Sequence, residues 1–84
     1  MEADIDKFFA DVLKARREKS GMTQEDLATK AGLDRTYISM LERGLRKPSL
    51  EAVFSLAKAL DINAVEMVKD VEKMLDAHSR LVKS

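Results

Sequence analysis

The chain predicts an all-α fold, a compact five-helix bundle. Apolar residues recur at three- and four-residue steps through most of its 84 positions. Residues suited to capping stand ahead of each apolar run after the first, at Thr23, Asp34, Ser49 and Asn63. The three glycines and the single proline fall between the runs. Eighty-four residues divided in two would leave pieces too small to bury a core, so residues 1–84 are expected to form a single domain.

The first helix is predicted over 4–19, with Ile5, Phe8, Phe9, Val12 and Leu13 on its core face and Arg16 and Arg17 continuing that face. Ser20-Gly21 ends it. The second helix opens on a capping box, Thr23 with Asp26, and on a staple from Met22 to Leu27. Leu27, Ala28 and Ala31 face inward, and Gly32 makes the turn. Leu33-Asp34 repeats the device, with Asp34 as cap and Leu33 stapling to Ile38. The third helix, 35–43, buries Ile38 and Leu41, turns Arg35, Thr36, Ser39, Met40 and Arg43 outward, and is closed by Gly44.

Leu45-Arg46-Lys47-Pro48 reads as a basic loop, after which Ser49 caps a fourth helix. Leu50, Val53, Phe54, Leu56, Ala57 and Leu60 are too many apolar positions for a half-exposed helix, which places it across the back as the main core element. Asn63 with Glu66 opens the fifth helix, again with a staple from Ile62 to Met67, and the helix runs to about His78 and frays before Ser84.

Two short helices locked by caps on either side of one glycine have helix-turn-helix spacing, over Thr23 to Gly44, and this points to a protein that reads DNA. Charge gives a mixed signal. Lys+Arg and Asp+Glu balance at 15 each, whereas nucleic-acid binders usually carry a basic excess. Residues 35–48 nevertheless carry a net +3, from Arg35, Arg43, Arg46 and Lys47 against Glu42, while residues 21–34 carry −2. A chain that is 36% charged also produces such a local excess by chance, so charge alone leaves both readings open.

The phrases GMTQEDLATKAGL, DRTYISMLERG and RKPSLEAVFSLAKALDI together resemble the Cro/C1-type (XRE family) helix-turn-helix transcriptional regulators, over about residues 16–62. The wording MTQEDLA and LDRTYIS and the small size most resemble the controller proteins of restriction-modification systems. The resemblance implies a lambda-repressor-like DNA-binding domain with the motif at helices 2 and 3. It places Gln24 on a phosphate and as a brace for the third helix, and Arg35 and Thr36 at base edges. Arginine can pair with guanine O6 and N7, and the threonine methyl can meet a thymine methyl. A family glutamine at the later base-reading position is replaced by Met40, which makes no directed hydrogen bond. Ser39 and Tyr37 are placed at phosphates and Arg43, Arg46 and Lys47 along the adjacent strand, fixing register without carrying sequence information. The family's internal ion pair falls on Arg17 and Glu42, which are assigned to scaffold.

Plainer readings stand beside these. Tyr37 can pack its ring on the core and expose its hydroxyl, and Arg46 and Lys47 can be an ordinary solvated loop. On the fifth helix, Met67, Met74 and Leu81 recur every seven residues beside a row of Val68, Leu75 and Val82. Val65 and Val68 are expected to pack on the core, while Met67, Val71, Met74 and Leu75, with His78 at the edge, form a dimer interface, making 64–84 a C-terminal dimerisation helix. Two recognition helices would then sit about 34 Å apart and read a near-palindrome.

No cysteine is present, which excludes disulfides, thiolate metal sites and a cysteine nucleophile, and one histidine does not make a zinc site. Met67 and Met74 are gap-fillers rather than ligands. No nucleophile, base and orienting group occur together, so an enzyme is not expected, and neither is a cofactor. Apolar runs are short and the N-terminus lacks a secretory pattern, giving a cytoplasmic protein with no membrane partner. The sequence points to no small-molecule effector. The expected function is a homodimeric regulator on double-stranded DNA; the alternative is a protein-interaction module of the same fold, of antitoxin or anti-regulator type, which zero net charge favours.

Overall fold

The computed structural model describes the backbone of residues 2–83 and the side chains of residues 5–80. Five helices follow in order: α1 Glu2–Lys19, α2 Gln24–Ala31, α3 Arg35–Glu42, α4 Leu50–Ala59 and α5 Ala64–Lys83. Helix α1 begins two residues earlier than expected, and α5 continues past His78 to Lys83. The side chains of Leu81 and Val82 lie outside the described residues. No described helix is long and apolar enough to cross a membrane.

Four of the five helices stop in the same way. After α1, α2, α3 and α4 the chain enters the left-handed region at Gly21, Gly32, Gly44 and Asp61, with φ of 72°, 67°, 71° and 59°. The next N–H then reaches back five residues: Met22 to the Arg17 carbonyl, Leu33 to Ala28, Leu45 to Met40 and Ile62 to Ala57, at 3.2, 3.0, 2.9 and 3.0 Å. These are Schellman closures, each followed by an apolar residue that can fold onto the helix it ends. Three of those residues, Met22, Leu33 and Ile62, do pack on the core and are followed at once by the first residue before the next helix. The link from α3 to α4 differs: Arg46, Lys47 and Pro48 are added, and Leu45 is left exposed.

The starts are less uniform. Thr23 and Asp26 form the full capping box, the Thr23 hydroxyl accepting from Asp26 N at 3.0 Å and the Asp26 carboxylate from Thr23 N at 3.1 Å. Ser49 Oγ accepts from Ala52 N at 3.0 Å, and Glu66 Oε1 from Asn63 N at 3.4 Å. Asp34, expected as a cap, stands in the extended conformation but makes no side-chain cap bond. Its carboxylate is exposed at the positive end of the α3 dipole, and the Ile38 N–H to Asp34 carbonyl bond of 3.1 Å already opens the helix.

Accepting from the Thr23 backbone N–H, and then from its hydroxyl, holds the Asp26 carboxyl below the ordinary aspartate value. A carboxylate with a lowered folded pKa stabilises above its unfolded pKa and loses that contribution as pH falls through the folded one. Asp26→Asn should therefore be destabilising at neutral pH and converge on the parent in acid. Thr23→Ala should cost about 1 kcal/mol at neutral pH. Denaturant titrations across that range check both; a pH-independent gap for Asp26→Asn would contradict the charged cap.

Every helix contributes to one core. Leu13, Leu27, Ile38, Leu41, Leu56 and Met67 are fully buried, each such side chain giving about 1.5–3 kcal/mol. Helix α1 packs on α3 and α5, α2 on α3 and α4, and α4 on α5. Two expectations are reversed here. Helix α4 does supply core residues, Ala52, Val53, Leu56 and Ala57, but contrary to expectation it is half-exposed, with Phe54 at 60% and Leu50 at 73%. On α5, Met67 and Val71 are core residues at 0% and 8% exposure, so they cannot form a dimer surface, whereas Val65 and Val68 stand out at 74% and 55%. The packing of α5 on α1 fixes this rotation: Arg16 donates to Asp70 Oδ2 through Nε and Nη2 at 2.9 and 2.8 Å and approaches Glu66 at 4.0 Å.

Candidate nucleic-acid interface

Helix α3 lies against α1 and α2 through Ile38 and Leu41, and its opposite face is open to solvent. Arg35 and Thr36 are exposed and Ser39 is half-buried one turn on. With Gln24 from α2 they line a shallow concavity of about 210 Å³. Four residues expected to meet DNA are thus brought together across the turn.

Gln24 is placed from behind. Its Nε2 donates to Glu42 Oε1 at 3.1 Å, and the same carboxylate accepts from Arg17 through Nε at 2.6 Å and Nη2 at 3.0 Å. Arg17 Nη1 donates to the Met22 carbonyl at 2.8 Å. The Glu42 and Arg17 side chains are 3% and 12% exposed. This is the expected Arg17–Glu42 pair, and the hydrogen bonds to Glu42 hold the Arg17 pKa above the ordinary guanidinium value. One carboxylate at the end of α3 therefore ties α3 to both α1 and α2, which fixes the angle at which α3 is presented.

The remaining basic residues are held more loosely. Arg43 follows α3 as its C-cap and is exposed, its Nε donating to the Ser39 carbonyl at 3.4 Å. Tyr37 is half-buried and turned toward the loop: its hydroxyl oxygen accepts from Ser49 N at 3.4 Å, and the Arg46 guanidinium lies over its ring, 5.4 Å from the centroid. It braces the loop as well as bordering the open face. Lys47 Nζ is 3.4 Å from Asp6 Oδ2, so its first partner is an acid of α1. Met40 is half-buried, and its carbonyl serves the closure at Leu45.

The α5 residues expected at an interface divide. Met67 and Val71 are internal, as above, while Met74 and Leu75 are half-buried against the core. The His78 ring meets Phe8 of α1 edge-on at 5.7 Å, a contact within the chain. The sequence reading missed the Arg16 clasp, although Glu66 and Asp70, four apart on one helix face, were a readable acidic pair. It also missed Asp6–Lys47 and Arg46–Tyr37, which join distant segments and leave no local signal.

Two short helices set by a left-handed glycine, the second locked from behind and open in front, make a helix-turn-helix domain whose outward helix is shaped to enter a DNA groove. Comparison with known proteins gives the same class and narrows it. Residues 13–67 match the HTH_3 family, described as helix-turn-helix, and the chain belongs to that family of sequence-specific DNA-binding transcriptional regulators. It is similar to the control protein C.BamHI of Bacillus amyloliquefaciens, 42% identical over 57 residues that span 68% of this chain and 70% of that protein. It is likewise similar to an HTH-type transcriptional regulator, y4dJ, of Sinorhizobium fredii, at 40% over 60 residues, 71% of this chain and 77% of that one. Among solved structures, the restriction-modification controller C.AhdI of Aeromonas hydrophila aligns with a TM-score of 0.72 at 42% identity, over 74% of this chain and 94% of that one. The controller C.Esp1396I, crystallised as a tetramer with its natural 35 base-pair operator, aligns at 0.76 and 38%, over 82% and 91%.

Proposed function

We propose that the chain acts as a homodimeric controller of restriction-modification type, placing α3 in the major groove of each half of a near-palindromic operator. The concavity of Gln24, Arg35, Thr36 and Ser39, backed by the Glu42 network, carries this reading. Arg35 and Thr36 address base edges, Gln24 and Ser39 address phosphate, and Arg43, Arg46 and Lys47 follow the adjacent strand. Tyr37 acts chiefly through Arg46 and the loop, and Met40 makes only apolar contact. The protein works in the cytoplasm, without catalysing a reaction and without a cofactor. C.BamHI and C.AhdI, both named as controllers, support the subclass.

Affinity for a duplex carrying its own upstream region should fall steeply with salt, the slope of log K against log salt being about −0.9 for each phosphate neutralised. A titration that finds no salt-sensitive duplex binding would sink the proposal and favour a protein-binding module built on the same fold.

The dimer is proposed through the exposed apolar side chains of α5 and α4, Val65, Val68, Leu50 and Phe54, in place of Met67 and Val71. These two helices pack on one another, and a second copy covering the same side chains would satisfy a two-fold contact. Val68→Glu should give monomers in sedimentation at concentrations where the parent is dimeric, with helical content unchanged. A Val68→Glu chain that stays dimeric would move the interface elsewhere.

A further inference from the structure

The two cations of the loop after α3 are held in different ways. Arg46 lies over the Tyr37 ring, its guanidinium carbon 5.4 Å from the centroid, so its partner in that contact carries no charge. Lys47 instead meets a carboxylate, with Nζ 3.4 Å from Asp6 Oδ2. Asp6 belongs to the first turns of α1, far from the loop in sequence, and packing puts it there. The α1 backbone runs directly beneath Gly44, where a Cβ would meet Lys7 Cα at 3.7 Å and the Asp6 carbonyl at 4.0 Å. The Asp6 side chain is 18% exposed and that of Lys47 is 68% exposed. The anion is thus the fixed partner, and the long flexible cation is the one able to leave.

Resting on the DNA-reading role proposed above, we infer that Asp6 is an intramolecular stand-in for a phosphate at Lys47, which duplex DNA must displace. The carboxylate offers Lys47 what a phosphate oxygen would offer, an anionic acceptor at ion-pair distance. Binding then exchanges one anion for another. The phosphate releases a condensed cation when Lys47 reaches it, but the ion pair with Asp6 is given up in the same step, so the net gain from that contact is reduced by what the pair was worth. Arg46, paired only with an uncharged ring in that contact, gives its full release. The loop therefore carries two cations and gains less from them than two free cations would. Asp6 holds down sequence-independent affinity and leaves base reading by Arg35 and Thr36 untouched.

The test is a salt titration of binding to a short mixed-sequence duplex by the parent chain, Asp6→Asn, Lys47→Ala and the double variant. Asp6→Asn should raise the affinity about two- to fivefold at low salt and make it fall more steeply as salt is raised, because the pair it removes is itself screened. In the Lys47→Ala background the same substitution should change neither. Asp11→Asn removes the same charge from the same helix, where it faces Lys7 at 3.9 Å, and should give well under half the effect. An unchanged slope in Asp6→Asn, or an equal gain with and without Lys47, would overturn the inference while leaving the DNA-reading role intact. Absence of salt-sensitive binding in the parent would overturn both. The thermal unfolding midpoint of Asp6→Asn should fall by no more than a few degrees, in keeping with loss of one partly exposed pair, and Asp6→Ser, which also lacks the charge, should repeat the binding result.

Discussion

Replacing Glu42 by alanine should lower the unfolding free energy by about 3 kcal/mol, the largest loss expected from any single polar side chain of this protein. The carboxylate accepts two hydrogen bonds from Arg17 and one from Gln24, and it is almost completely buried. Its removal leaves the Arg17 guanidinium with the Met22 carbonyl but no opposing charge. An abandoned charge of this kind costs roughly 3–5 kcal/mol, and the low end applies because Arg17 keeps some contact with water. In a domain of this size each kcal/mol moves Tm by about 4–8 °C, so the effect is visible in a thermal scan. Replacing both partners by apolar residues of similar volume should be far milder, because no charge is left behind. A Glu42→Ala chain within about 1 kcal/mol of the parent would show that the pair is not closed in solution. DNA affinity should fall on all sequences alike, since Gln24 loses its brace and α3 its fixed angle.

Arg35→Ala should behave in the opposite manner, leaving Tm near that of the parent and changing what the protein recognises. Arg35 is exposed at the first position of α3 and makes no side-chain hydrogen bond or ion pair among the described residues. A bidentate arginine–guanine contact discriminates by about 1–3 kcal/mol, which should vanish at one base pair of each half-site. Competition binding with a set of singly substituted operators measures this directly. A uniform loss over the whole set would place Arg35 on phosphate. The comparison variant is Arg46→Ala, for which a uniform loss and a shallower salt slope, by about 0.9, are what a phosphate contact requires.

Most of the architecture was readable because its signals are local. The capping box at Thr23 and Asp26, the Ser49 cap and the glycines at 21, 32 and 44 act on residues within a few positions of themselves, so their effect survives any tertiary arrangement. The Arg17–Glu42 pair was readable only through resemblance, since 25 residues separate the partners. What failed was the rotation of α5 and α4. Periodicity locates an apolar stripe, but Val68 stands about 100° around the helix from Met67, and the stripe is wide enough to include both. Which edge turns inward is set by long-range packing of α5 on α1 and α4, with which the Arg16 clasp on Glu66 and Asp70 is consistent, a contact between residues up to 54 positions apart. The same holds for the interface: Arg35, Thr36 and Ser39 were placed by helical register, whereas the hold of Asp6 on Lys47 depends on α1 passing beneath Gly44.

The repeated helix closure has a mechanical consequence. Where Met22, Leu33 and Ile62 end one helix and lead straight into the next, the connector has no spare length, so neighbouring axes are coupled like links of a stiff frame. Arg46, Lys47 and Pro48 are the added length in the one link that departs from this pattern. That slack is taken up by side chains, a ring beneath Arg46 and a carboxylate beside Lys47, and not by a backbone stop. Compliance in the domain is therefore concentrated in the segment that follows α3, which on the proposed role would let the loop adjust to the course of a phosphate strand while the face of α3 keeps its angle.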